Sequence, residues 1–314
     1  MLDVGIVGLG PFWESRYRPA LLALKRRVRV RSLLVPVQIL AGVVSQEFHC
    51  EVAPSLTALA THPQIRALLV LDQGWYGSVP ASIAAQHGKA VFWGVSAVES
   101  TDWTRFPDVG SQTIMPELPL RYTPSNQRLR ELAATRVGAP LRVTIEATGY
   151  LDDPAELLGH VTVAGLIDWC HTLSSTTFER VTAQRVADGL SMTIEFQRSV
   201  RGGTPPVAIL NVRPPPGDDC EQAGEHSRSR SGIEWREAVV DCAAGRVVLE
   251  SPERLRWEAS GETRTENLGS ERPDMEVMLD HFARRVLGGL VPVPTVEDLT
   301  GALRIGRLAA EALG

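Results

Sequence analysis

Two short stretches of this sequence carry side chains able to move a proton. His160 precedes an apolar run, and Asp168 and His171 fall within it. On a helix, residues three apart share a face, so Asp168 is placed either to orient the His171 imidazole or simply to anchor the helix. His160, at the start of the run, is the candidate general acid or base. A different chemistry is suggested by Gly8-Leu9-Gly10-Pro11-Phe12-Trp13, directly after the first apolar run. A glycine-rich turn leading from a strand into a helix can hold a pyrophosphate on backbone N–H groups. The segment from Asp72 to Gly77 follows another apolar run. If that run is a parallel strand, its carboxyl end lines a ligand crevice. Asp72 and Trp75 then face a cofactor, and Tyr76, with Arg121 and Tyr122, faces a substrate. Packing of Trp75 and Tyr76 beneath a domain junction is the competing reading.

These groups need elements to position them. Residues 4–7, 28–35, 65–71 and 90–93 read as buried strands. Residues 14–27, 36–48, 55–61 and 78–87 read as helices, with Ser55 as a cap. Such alternation predicts an α/β fold that opens with a doubly wound parallel sheet of the Rossmann type, residues 1–120. The pattern then changes. Thr123 and Pro124 open a helix over 125–135, residues 141–147 alternate as a half-buried strand, and 160–173 is an apolar helix. Strand-like runs follow at 178–185, 190–198, 207–213, 233–240 and 247–250, with Ala243-Ala244-Gly245 as a hairpin turn. Residues 214–231, rich in Pro, Gly, Ser and charge, read as an exposed loop. Helices at 274–287 and 296–313 close the chain, the second with Thr295 and Asp298 as a capping box. Residues 121–314 are therefore expected to form an α+β domain with a large, mainly antiparallel open sheet, its last helix free to pack back on the first domain.

Composition bounds the partners. The 314 residues include 32 basic and 37 acidic side chains, a net charge of -5, which argues against nucleic acid. No apolar run reaches the length of a membrane span. Met1 leads almost directly into a strand rather than a signal peptide, and none of Cys50, Cys170, Cys220 and Cys242 forms a CxxC pair. Reduced thiols in a cytoplasmic protein, with neither metal nor membrane, are the expectation. The glycine turn departs from the dinucleotide pattern. Trp13 stands at the third glycine position, Pro11 has no N–H to donate, and the second strand ends without the carboxylate that would grip a ribose. Two readings stay open: retained nucleotide affinity, or glycines that merely make a tight turn.

Taken in order, several stretches resemble the Gfo/Idh/MocA family, named for glucose–fructose oxidoreductase and inositol dehydrogenase. They are GLGPFWESRYRPAL, IRALLVLD, ASIAAQHGKAVFWG, RYTPSNQRLRELAATRVGAPLRV and GLIDWCHTL, with the last forty or so residues, so the likeness spans nearly the whole chain. The resemblance implies NAD or NADP as cofactor and a small sugar- or polyol-like substrate in a cleft between the domains. It also implies a homodimer, or a larger assembly of identical chains, through the open sheet. It further implies a Lys from a Glu-Lys-Pro segment and an Asp and His on the second domain's helix. At those positions this chain has Gly94-Val95-Ser96, Val161 and Gly165, none of which titrates. The expectation is an oxidoreductase with its proton-transfer groups replaced. The alternatives are a non-catalytic binding relative, or non-redox chemistry around His160.

Overall fold

The computed structural model describes residues 1–72, 77–95, 98, 113–149, 153–187, 189–198, 204–215 and 233–313. Trp75, Tyr76, Ser96, Cys220 and most of the 214–231 loop lie outside the described residues. The chain divides into two compact units, Met1–Pro119 with Pro273–Thr300, and Leu120–Arg272 with Gly301–Gly314.

The first unit is built on six parallel strands: β1 (Leu2–Val7), β2 (Val28–Leu34), β3 (Glu51–Val52), β4 (Ala67–Val70), β5 (Ala90–Trp93) and β6 (Ile114–Pro116). Their order is β3-β2-β1-β4-β5-β6. This is the doubly wound order, whose direction of winding reverses between β1 and β4, the position where such sheets take ligands. All residues of β4 and β5 are buried, as a parallel strand covered on both faces requires. Helices α1 (Arg18–Ala23), α2 (Gln38–Phe48), α3 (Leu56–Thr61) and α4 (Val79–Gln86) connect the strands. Ser55 caps α3, its Oγ accepting from the Ala58 N–H at 3.1 Å. The helix expected over 14–27 is shorter and begins with a π-helical turn, Trp13–Tyr17. Pro19, in the first turn of α1, has no N–H to continue an α-helical ladder backwards, and the wider turn takes its place.

The second unit carries an eight-stranded sheet: β7 (Pro140–Thr148), β8 (Phe178–Val186), β9 (Gly189–Phe196), β10 (Val207–Arg213), β11 (Glu234–Cys242), β12 (Gly245–Ser251), β13 (Arg254–Ala259) and β14 (Glu262–Asn267). The order is β14-β13-β12-β11-β7-β10-β9-β8, antiparallel except where β7 meets β10. Buried residues alternate along β9 and β10, so one face packs and the other is half-open. Helices α5 (Pro124–Thr135), α6 (Pro154–Leu158) and α7 (Val161–Ser174) belong to this unit. Thr123 caps α5, accepting from the Asn126 N–H.

The second-domain range expected as 121–314 is interrupted. Helix α8 (Asp274–Val286) clusters with the first unit, where Phe282 meets Phe92 edge-on at 5.8 Å and Asp280 pairs with Arg27. Burying a phenylalanine contributes about 1.5–3 kcal/mol, enough to fix that assignment. The division falls within the last helix, α9 (Val296–Glu311), whose start is the reciprocal box of Thr295 and Asp298.

The Glu266 carboxylate accepts from Arg128 Nε at 2.7 Å and Nη2 at 3.0 Å, and from Trp257 Nε1 at 2.7 Å. The Arg128 bonds, more than any other contact, hold its pKa below the ordinary carboxylate value. A depressed pKa gives stability that is present above the unfolded value and lost as pH falls through the folded one. Thermal melts by circular dichroism between about pH 6 and pH 3 should therefore show falling stability. Glu266→Gln should lose on the order of 1 kcal/mol at neutral pH and flatten part of that slope. An unchanged slope in the variant would contradict this account.

Candidate functional site

The turn after β1 sits at the point where the winding of the first sheet reverses. The Gly8 N–H donates to the Leu34 carbonyl at 2.9 Å, tying the turn to the end of β2. Gly8 and Gly10 have φ of 70° and 65°. A Cβ on Gly10 would lie 2.2 Å from the Leu71 carbonyl oxygen, so no other residue fits there. Trp13 is buried, its ring 5.8 Å from Phe48 of α2. Its indole N–H is buried and has no hydrogen-bond partner among the described residues. Phe12 is exposed beside it, with the Arg16 guanidinium 5.9 Å from its ring centre. The Gly8 and Trp13 N–H groups are bonded to the Leu34 and Gly10 carbonyls and Pro11 has none, which leaves those of Leu9, Gly10 and Phe12 as the turn's donors. The third glycine's place is filled by an aromatic that packs inward, and β2 runs out in Leu33, Leu34 and Val35, which offer a ribose nothing to bind.

Behind the turn lies a buried carboxylate that reading the sequence missed. Glu117 follows β6 and its side chain is fully enclosed. Oε2 accepts from the Tyr17 hydroxyl at 2.6 Å and from the Val95 N–H at 2.8 Å, and Oε1 is 2.7 Å from Arg16 Nη1. Arg16 also donates to Asp274 at the start of α8, at 3.1 Å. Burial pushes the Glu117 pKa up, against the pull of Arg16 and the two donors. Burial likewise opposes charge on Arg16, but Glu117 and Asp274 outweigh it and raise its pKa. The one signal in the sequence was a lone acid in the apolar run Ile114-Met115-Pro116-Glu117-Leu118, which had to be paired if buried.

The same cluster accounts for Gly94. A Cβ there would meet the Tyr17 hydroxyl at 2.7 Å and the Val70 carbonyl at 3.0 Å. The place where the family resemblance puts a glutamate is thus occupied by Tyr17. Val95, at the lysine position, contributes its backbone N–H to Glu117 instead.

In the second unit, Asp168 and Arg121 come together. Arg121 Nε donates to Asp168 Oδ2 at 2.7 Å and its Nη2 to Oδ1, a two-pronged pair with the carboxylate almost wholly buried. The neighbouring Trp169 donates to Asn126 at 2.8 Å. Asp168 thus fastens α7 to the segment leading into α5. His171 is exposed, its ring stacked on Phe196 at 6.3 Å. Tyr122 is buried. His160 is the N-cap of α7: its Nδ1 accepts from the Thr162 N–H at 3.2 Å and lies 3.1 Å from the Thr162 hydroxyl. Burial lowers its pKa, so the ring is neutral near pH 7. With Nδ1 accepting, the proton sits on Nε2, and the ring presents a donor there. Asp72 is half-buried after β4. Among the described residues, no three of His, Cys, Asp and Glu are placed to hold a metal, and no helix is long and apolar enough to cross a membrane.

No family model and no curated protein matches the sequence. Solved structures match along its whole length. UDP-N-acetylglucosamine 3-dehydrogenase GnnA from Acidithiobacillus ferrooxidans aligns over 99% of this chain and 97% of its own, at TM-score 0.72 and 15% identity. The dehydrogenase MviM from Clostridium difficile aligns over 99% of both chains, at TM-score 0.72 and 13% identity. Biliverdin reductase from Synechocystis sp. PCC 6803, solved with biliverdin and NADP+, aligns over 100% of this chain and 99% of its own, at TM-score 0.64 and 18% identity.

Glu117→Ala leaves Arg16 with Asp274 alone, strips the Tyr17 hydroxyl of its acceptor and opens a cavity, together about 3–5 kcal/mol. Urea denaturation of Glu117→Ala should show a loss of that size, and Tyr17→Phe, which deletes a single bond, about 1 kcal/mol. A Glu117→Ala variant as stable as the parent would rule out the cluster as a structural centre.

Proposed function

We propose that this chain, which has the fold of the Gfo/Idh/MocA-type oxidoreductases, is an NAD(P)-dependent oxidoreductase acting on a sugar- or polyol-like substrate, with reduced proton-transfer capacity. One observation carries the reading. The positive-φ Gly8-Leu9-Gly10 turn lies where a parallel sheet of this winding presents backbone N–H groups to a pyrophosphate. Gly8, Gly10, Pro11, Phe12 and Trp13 would border the nucleotide, with Asp72 after β4 alongside. A bound nicotinamide would supply the site that takes or gives a hydride. The chain itself must then move the substrate's proton. His160, whose Nε2–H is free of the capping contact, is the group proposed for it. Arg121, held by Asp168, and Tyr122 are proposed beside the substrate, and His171 as a secondary proton carrier.

A second reading rests on Trp13 and on the non-titrating Val95, Val161 and Gly165. Here the same turn binds a nucleotide or another small ligand without turnover. A homodimer through the half-open face of the eight-stranded sheet accompanies both. Static light scattering at micromolar concentration should return twice 34.2 kDa, and the monomer mass would contradict it.

Titration tests the first reading, and turnover of a bound cofactor separates it from the second. NADH and NADPH, followed by energy transfer from protein tryptophan, should bind with a Kd below about 1 mM, or about 4 kcal/mol. No signal at that concentration would remove the oxidoreductase reading. If a substrate is turned over, His160→Ala should lower kcat about a hundredfold while leaving cofactor affinity unchanged. Equal rates would remove His160 from the chemistry.

A further inference from the structure

The amino-terminal edge of the first sheet lies at the opposite end of the strands from the glycine turn. The residues leading into β4, β5 and β6, with the end of α8, enclose a hollow of about 260 Å³. Its described lining includes Arg66, Lys89, Arg285 and Thr113, and none of these lining residues is Asp or Glu. Lys89 Nζ donates to the His62 carbonyl at 3.1 Å and to the Ile65 carbonyl at 2.5 Å. Arg66 Nη2 donates to the Val286 carbonyl at 3.3 Å. Two of the three cationic heads are therefore held in place by main-chain oxygens, and among the described residues no acid forms an ion pair with them. Partial burial lowers the Lys89 pKa, as expected for an ammonium without a carboxylate partner.

The Asp3 carboxylate on this edge is paired with Arg29 and Arg31. Lys25, Arg26 and Arg27 precede β2, and Arg284 lies on α8. The carboxylate of Asp280 is taken by Arg27 at 2.5 Å and Arg284 at 2.9 Å. Clustered like charges repel, and an anion between them relieves the repulsion. A guanidinium fork and an ammonium beside a hydroxyl are donors matched to phosphate oxygens. The volume is below the roughly 300–1,000 Å³ of drug-sized sites, so the ligand group is small.

We propose that Arg66, Lys89, Arg285 and Thr113 form a second site, on the far side of the sheet from the glycine turn, that binds a phosphoryl group. It is independent of the reading given above. The group belongs either to a soluble phosphorylated molecule or to a lipid headgroup.

Calorimetric titration of the full chain with pyrophosphate at low salt tests it. Arg285→Glu and Arg66→Gln should each weaken binding by at least about tenfold, and Arg285→Lys should restore most of it. Because pyrophosphate could also reach the glycine turn, each variant is titrated with NADH as well, and that affinity should stay within about twofold. Arg285 is exposed, so its variants should melt with the parent. Sedimentation with phosphatidylcholine vesicles containing phosphatidic acid tells the two sources apart. Binding lost in Arg285→Glu assigns the lipid, and no sedimentation assigns the soluble ligand. No pyrophosphate binding by the parent, or equal affinity in both charge variants, overturns the site.

Discussion

A carboxylate shut away from water needs partners, and Glu117 has two hydrogen-bond donors on Oε2 and the Arg16 guanidinium beside Oε1. Its desolvation costs several kcal/mol, which only close, well-aimed partners can offset. Those partners come from two places: Arg16 and Tyr17 in the turn behind the glycines, and the Val95 N–H after β5. Arg16 extends the connection to Asp274 on α8. The carboxyl ends of β5 and β6, the π-helical turn and α8 are thereby locked together around one buried charge. The identities at 16, 17, 94 and 117 are coupled. Tyr17 can reach Glu117 only because residue 94 has no side chain, and Glu117 is tolerable only because Arg16 and Tyr17 reach it. Gly94 and Val95, where the resemblance would have a Glu-Lys pair, belong to a set of residues that fit one another.

Much of the architecture was legible in the sequence because it rests on short-range rules. The apolar runs of β1, β4 and β5 announce strands covered on both faces. Ser55, Thr123 and the Thr295–Asp298 pair cap the helices they precede. What escaped is long-range or too short to have a period. β3 and β6 have two and three residues, fewer than an alternation needs. Tyr17 and Glu117 are one hundred positions apart, and nothing local in either says they will meet. Asp168 was expected either to orient His171 or to anchor its helix. It is clasped by Arg121, 47 residues earlier, because a buried acid takes the strongest donor that folding brings to it. The tight glycine turn was legible from its place after β1, while the inward packing of Trp13 depended on Phe48, which sequence order does not reveal.

The chemistry available to this chain follows from how its imidazoles are used. His160 gives one ring nitrogen to the first turn of α7, which fixes its tautomer and orientation. A ring so held is a directed donor, not a freely rotating base. Its acid–base capacity is therefore narrower than its residue type suggests. In the same helix, Gly165 and Val161 contribute shape only.

The first unit is discontinuous in sequence: α8, which completes it, follows the whole of the eight-stranded sheet. A nascent chain leaving the ribosome therefore presents the six parallel strands long before the helix that covers Phe92 exists. Until then that apolar surface, and the partner of Arg16 at position 274, are absent. The intervening unit must fold or be shielded in the meantime. Synthesis order thus leaves the early intermediate with an uncovered apolar face, and makes a premature stop before α8 more damaging to the amino-terminal unit than its position in the gene suggests.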